Sequence, residues 1–191
     1  MMSHESRVGE LSTLRRPDPD RLLELAVREF LRDGWIDMKQ LAQRAGVGRA
    51  TLYRRFQDRE SLLGEVLWEL ARVTALDAWR SAGGKGRARV LNALEVFMRE
   101  LAASPALHKL LARDPETALR LLTSRHGVVQ ARLIDAAEEM LVTEIGAPEG
   151  VTSKQLAYAV VRIAESFAYA DVVAGEQPDV EAAVAIIGRV L

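Results

Sequence analysis

The chain has 191 residues, of which 49 % are hydrophobic, 28 % charged and 5 % aromatic, a balance that suits one or two folded domains and excludes a disordered or low-complexity protein. It contains no cysteine, which removes disulfides, Cys-based metal centres and cysteine nucleophiles; its three histidines, His4, His108 and His126, stand too far apart for a local ligand motif, so neither a metal nor a cofactor is expected. The formal charge of −1 hides an asymmetry: Lys39–Arg59 gathers Lys39, Arg44, Arg49, Arg54, Arg55 and Arg59 around one acid, Asp58, as a surface facing a polyanion would.

The N-terminal residues carry charges and no apolar run, and the most apolar stretch, 156–175, is interrupted by Arg162, Glu165 and Asp171. Neither a signal peptide nor a membrane span is expected, and the location expected is cytoplasmic. Apolar residues recur three and four apart from residue 22 onward, with no alternating strand pattern, so the fold expected is all-α. After a polar arm over 1–17, Asp18-Pro19 offers a cap for a first helix that buries Leu22, Leu25, Ala26 and Phe30 and stops before Gly34. Asp37 with Gln40 opens a two-turn helix that carries Leu41 and Ala42 inward and ends at Gly46. A third short helix runs from Gly48 to about Arg55, locked by Val47, Leu52 and Phe56. Asp58 then caps a long amphipathic helix reaching about Arg80.

The Gly83-Gly84-Lys85-Gly86 break reads as a turn, since it lacks the strand and spacing of a phosphate loop. Five further helices are predicted over 87–103, 105–113, 116–145, 153–174 and 179–190, making nine in all, their starts marked by Ser104-Pro105, Asp114-Pro115, Thr152 with Gln155, and Gln177-Pro178.

Residues 37–56 have the form of a helix-turn-helix: a short capped helix, a glycine turn, and a second helix with a cationic, hydroxylic outer side. Ala42 is small where two short helices cross, and Gly46 tolerates the positive φ of a tight turn. A helix so braced can enter a major groove, where Arg pairs with guanine and other cations grip phosphates.

The stretch Arg21–Leu63, with Phe30, Gly34, Leu41-Ala42, Ala45-Gly46-Val47, Thr51-Leu52-Tyr53, Phe56 and Arg59-Glu60-Ser61-Leu62-Leu63, resembles the DNA-binding domain of the TetR family of transcriptional repressors. The resemblance implies a helix-turn-helix domain over 18–63 and a ligand-binding and dimerisation domain over 64–191, joined by the long helix. It makes 48–55 the recognition helix, with Arg49, Ala50, Thr51 and Arg54 nearest the bases, Tyr53 and Arg55 on the phosphates, and Lys39 and Gly48 in the same DNA-facing set. Arg59 stands where the family usually has lysine and keeps a phosphate-binding charge. The chain departs from the family pattern at Asp37 (often Thr), Gly48 (often Ser), Arg49 (often Pro) and Ala50 (often Gly), so base preferences do not carry over.

One helix-turn-helix reads few base pairs, so a homodimer on a near-palindromic DNA operator is expected. On the last two helices Leu156, Val160, Ile163 and Phe167 and then Val180, Ala183, Val184 and Ile187 form stripes for a four-helix dimer interface, with intramolecular core as the alternative reading. Residues 87–175 would house a small lipophilic inducer. The site residues expected are Phe97, Met98, Leu101, His108, Leu111, Leu122, His126, Arg162, Ser166 and Tyr169, with Arg125 and Glu165 as further polar candidates; Arg162 and Glu165, three apart, also suit a mutual ion pair. The whole sequence is similar to actinobacterial regulators of lactone-type quorum-signal degradation, which implies a lactone inducer. The arm residues Arg15 and Arg16 suit either a flanking DNA contact or a solvated terminus. The alternative function is a helical small-molecule-binding protein or enzyme without DNA binding, although no catalytic constellation can be singled out.

Overall fold

The computed structural model describes residues 20–124 and 127–191; the arm 1–17, the Asp18-Pro19 cap, Arg125 and His126 lie outside the described residues. Eleven helices and no strand occur among the described residues: α1 Arg21–Asp33, α2 Met38–Ala45, α3 Arg49–Phe56, α4 Arg59–Ser81, α5 Arg87–Ala102, α6 Pro105–Arg113, α7 Pro115–Thr123, α8 Val128–Glu144, α9 Ser153–Ala168, α10 Ala170–Val173 and α11 Val180–Val190. The all-α expectation holds. The count of nine is corrected to eleven because the predicted 116–145 helix divides into α7 and α8, and the predicted 153–174 helix into α9 and the single turn α10.

The first division has a local cause at Gly127, whose N–H bonds Ser124 O at 3.1 Å. A Cβ there would collide with the backbone carbonyl of Leu121, so α8 starts against the end of α7 at a separation that only glycine permits.

Most helix starts follow the expected caps. Asp37 accepts from the N–H groups of Lys39 and Gln40, Ser104 from Leu107, and Asp114 from Thr117, whereas α1 is capped by Asp20, which accepts from Leu22 and Leu23. A reciprocal capping box forms at Thr152 and Gln155. At α4, Asp58 accepts from the Ser61 N–H at 2.7 Å, and that bond, followed by one from the Ser61 hydroxyl, holds its carboxyl below the ordinary carboxylate range. Asp58→Ala is expected to cost about 1 kcal/mol in urea unfolding at neutral pH. A carboxyl whose folded pKa is lowered stabilises fully above its unfolded pKa and loses that contribution as pH falls through the folded value. Wild type and variant should therefore converge in acid.

One apolar core runs through both halves of the chain, from Ala26 and Phe30 in α1 through Leu62, Leu63 and Val66 in α4 to Ile187 in α11. α4, about 34 Å long by its 23 residues, packs against α1, α3, α5, α7 and α8. Ion pairs fasten it at its flanks: Glu60 to Arg120 of α7 at 2.7 Å and Glu65 to Arg132 of α8 at 2.8 Å. The glycine break after α4 is a turn, tied down where the Gly86 N–H donates to Glu144 at 2.8 Å.

Of the stripes expected to cover a dimer interface, Leu156, Ile163, Phe167 and Val184 are half-buried, and the others are used within the chain. Val160 in α9 and Val180, Ala183 and Ile187 in α11 are buried, because α9 packs on α8 and α11 on α9 and α5. The apolar side chains these two helices leave exposed are Tyr158, Ile186 and Val190.

Candidate functional site

The helix-turn-helix is built on its apolar underside. Leu41 and Ala42 of α2 and Leu52 and Phe56 of α3 are buried together with Ala26 and Phe30 of α1. Between α2 and α3, Gly46 adopts φ 68°, and the Val47 N–H returns to Ala42 O at 3.1 Å, closing the turn. Two ion pairs fix this unit to α1: Arg44 to the buried Glu29 at 2.9 Å, and Arg55 to the α1 cap Asp20 at 2.8 Å.

With Leu52 and Phe56 pointing inward, helical periodicity turns Ala50, Thr51 and Arg54 outward and puts Tyr53 at a flank, while Arg49, three residues before Leu52, stays exposed in the open first turn. Arg49, Ala50, Tyr53 and Arg54 are exposed and Thr51 is half-buried. Among the described residues the side chains of Lys39, Arg49 and Arg54 make no ion pair or hydrogen bond. The N-cap Gly48 offers no side-chain acceptor, and its carbonyl accepts from the N–H groups of Thr51 and Leu52, which leaves the N–H groups of Arg49 and Ala50 without an intrahelical partner.

A second feature lies among α4, α5, α8 and α9. An apolar cavity of about 90 Å³ is lined by small residues, including Ala93, Ala136, Ala137, Ala164 and Ala168, between larger ones such as Phe97, Met98 and Leu133; among the described residues Glu165 and Tyr169 are the only polar side chains on its wall. It shares Phe97, Leu101, Leu133 and Tyr169 with an adjoining cavity of about 280 Å³, whose far wall is Phe30 and Leu31 of α1 and Leu67, Leu70 and Ala71 of α4. The second cavity thus reaches the helix that carries the helix-turn-helix.

The N-terminal region, residues 22–66, matches the family model for bacterial regulatory proteins of the tetR family, and residues 85–191 match that for a Tetracyclin repressor-like C-terminal domain. The chain belongs to the TetR family. Among solved structures it is similar to the transcriptional repressor QsdR of R. erythropolis, from the TetR family, with 30 % identity and a TM-score of 0.82 over 90 % of this chain and 92 % of that one. A second match is the TetR family transcriptional regulator PfmR from Thermus thermophilus, with 21 % identity and a TM-score of 0.42 over 90 % of this chain and 97 % of that one. No curated protein sequence matches the chain. The TetR proteins are transcription regulators, and the DNA-binding helix-turn-helix is their N-terminal part.

Within this TetR frame the expected DNA-facing residues divide. Lys39, Gly48, Arg49, Ala50, Thr51, Tyr53 and Arg54 lie on or beside the outer face of α2 and α3. Arg55, expected on phosphate, is paired with Asp20 and stacked on Phe56 at 4.9 Å. Arg59 stacks on the Trp35 ring at 4.2 Å, and Arg113 of α6 covers the same ring at 4.5 Å. Trp35 therefore sits between a cation of α4 and one of α6, a contact that the sequence reading missed because nothing in the local pattern marks it.

The expected ligand residues divide too. Phe97, Met98, Leu101 and Tyr169 meet at the first cavity, and Leu122 lines the second. Leu111 is buried in the core and lines neither. His108 is exposed on α6, and Ser166 is exposed with its hydroxyl donating to Ile163 O at 2.8 Å, because both point away from the bundle axis. Arg162 is exposed and reaches in only through its bonds to Glu165 at 2.7 Å and Thr123 O at 3.1 Å, the mutual pair that the spacing allowed. His126 lies outside the described residues. The alanines of the wall were missed as cavity residues. Their signal is present in the sequence, since small residues facing Leu and Met across a bundle leave space that nothing else fills.

Proposed function

We propose that the protein is a ligand-responsive repressor that binds a palindromic operator as a homodimer and is released by a small lipophilic inducer. The observation that carries the DNA half is α3: a short helix with a buried underside and two exposed arginines, Arg49 and Arg54, that no carboxylate among the described residues neutralises. Repression follows the similarity to QsdR. The dimer is proposed through α9 and α11, with the exposed Tyr158, Ile186 and Val190 beside the half-buried Leu156, Ile163, Phe167 and Val184 at its surface. Two recognition helices then address successive major grooves about 34 Å apart.

The ligand half is supported by the paired cavities, whose walls include both bundle helices and α1. A compound that enlarges this space presses on Phe30 and Leu31 and on α4, and so changes the spacing of the two recognition helices. Its effect equals its differential affinity for the two spacings. A lactone with an apolar tail fits the lining. No helix of the described residues is long and apolar enough to cross a membrane, and no cluster of three metal-ligating side chains occurs among them; an enzyme reading gains no support from either cavity.

Footprinting of the upstream DNA tests the proposal. Two protected half-sites one helical turn or a multiple apart are expected, with lower occupancy when an acyl lactone is added. Lys39, Arg49 and Arg54, the cations of this face that make no ion pair among the described residues, predict for two subunits that log affinity falls with log salt at a slope of about −5. A flat salt response with no discrete footprint would contradict DNA binding.

A further inference from the structure

The first cavity has one polar end, and its chemistry selects among lipophilic ligands. Glu165 is nine-tenths buried. Its Oε2 accepts from Arg162 at 2.7 Å and from Gln130 at 3.2 Å, whereas Oε1 has only the long 3.5 Å approach of Gln130. An ionised carboxylate has about four lone-pair sites and no donor, so Glu165 retains accepting capacity on a wall otherwise made of alkyl and aryl groups. Tyr169 stands one helical turn further on, 7 % exposed, and its hydroxyl makes no hydrogen bond among the described residues. Desolvation, reinforced by the Glu165 charge, pushes the phenol well above its ordinary pKa, so it stays a donor at every physiological pH. Glu165 and the C-cap Tyr169, an acceptor and a donor four residues apart at the end of α9, thus both line the same apolar space.

The charge balance narrows the class further. Glu165 is matched by Arg162, so this end of the cavity is neutral as it stands. A cationic or anionic head would bring an uncompensated charge into an apolar enclosure, whereas an uncharged head adds none.

Resting on the proposed ligand-responsive reading, we infer that the ligand is an uncharged amphiphile whose head carries an N–H or O–H donor for Glu165 beside a carbonyl that accepts from the Tyr169 hydroxyl. Its tail runs between Phe97, Leu101 and Leu133 into the second cavity. A lactone or ester without such a donor satisfies only Tyr169 and leaves the spare acceptor of Glu165 unused; an amide, a hydroxy-substituted carbonyl or a lactone that carries an amide N–H satisfies both.

Isothermal titration of the full chain with N-methyldecanamide and methyl decanoate, equal in length and differing in one N–H, tests this. The wild type should bind the amide about tenfold more tightly or better, the worth of a hydrogen bond to a charged acceptor. Glu165→Gln, which supplies its own donor, should bring the two probes within about twofold of each other, and Tyr169→Phe should weaken both about tenfold. Leu133→Trp should abolish both by filling the shared wall, with thermal melts showing that each variant is folded. Equal affinity for the two probes in the wild type, or an amide preference that survives Glu165→Gln, overturns the inference while leaving a lipophilic ligand in place if Leu133→Trp still blocks binding. No binding of either probe to the wild type overturns the inference and the ligand reading together.

Discussion

Replacing Arg49 and Arg54 together by alanine is expected to lower operator affinity by at least about a thousandfold at moderate salt, with the melting temperature of the protein unchanged. The size follows from symmetry. A base or phosphate contact by arginine contributes about 1–3 kcal/mol, and the double variant removes two such side chains from each of two recognition helices, four in the proposed complex. The stability should not move, because both side chains are exposed and neither bonds to another described residue. The slope of log affinity against log salt should become shallower by about 3–4 units, since up to four cations leave the interface. Arg55 supplies the contrast. It holds Asp20, which also caps α1, so Arg55→Ala should disturb the domain as well as the DNA contact. Measuring affinity and melting in parallel separates the two classes of arginine. A double variant that kept wild-type retention would remove α3 from the DNA surface.

The sequence carries some parts of this architecture more legibly than others, for identifiable reasons. Caps are local: Asp37, Asp58, Ser104, Asp114 and Thr152 each act within three residues, so their helices start where the pattern places them. The inward residues of α3 were legible because Leu52 and Phe56 are four apart on a helix of only eight residues. The start of α1 lay deeper than expected, since Asp20, two residues beyond Asp18, makes the cap. Which neighbour an apolar face meets is a property of the whole bundle. Val160, Ala183 and Ile187 looked like interface residues because periodicity reports that a face is covered and says nothing about which chain covers it. Two polar ligand candidates lie away from the cavities for a similar reason. His108 and Ser166 have suitable chemistry but the wrong angle on their helices, while Glu165, at first one candidate among several, is the carboxylate that reaches the cavity wall.

Gly34→Ala is expected to destabilise the protein by about 3 kcal/mol, the sum of an unfavourable left-handed conformation and an overpacked contact. Gly34 ends α1 at φ 67° with its N–H on Phe30 O. A Cβ placed there would meet the Cβ of Lys109 and lie 3.0 Å from the carbonyl oxygen of Ala106, both on α6. The Lys109 partner atom is the root of its side chain and cannot swing aside, so α6 itself must retreat. That retreat would stretch two further ties of the same joint: the Lys109 ammonium donating to Arg32 O at 2.9 Å, and Arg113 over Trp35. For a chain of this length a loss of that size lowers the melting temperature by about 6–12 °C. Trp35→Leu gives the functional counterpart at smaller structural cost, because the ring is only half-buried. It keeps an apolar side chain at the joint and removes the aromatic face that links Arg59 of α4 to Arg113 of α6. Operator binding without ligand should change little in this variant, whereas the ligand concentration needed for release should rise several-fold, since Pro105 and Leu107 of α6 also line the second cavity. If Trp35→Leu released DNA at the wild-type ligand concentration, the joint would be a structural seam only, and the coupling would have to run through α4 alone.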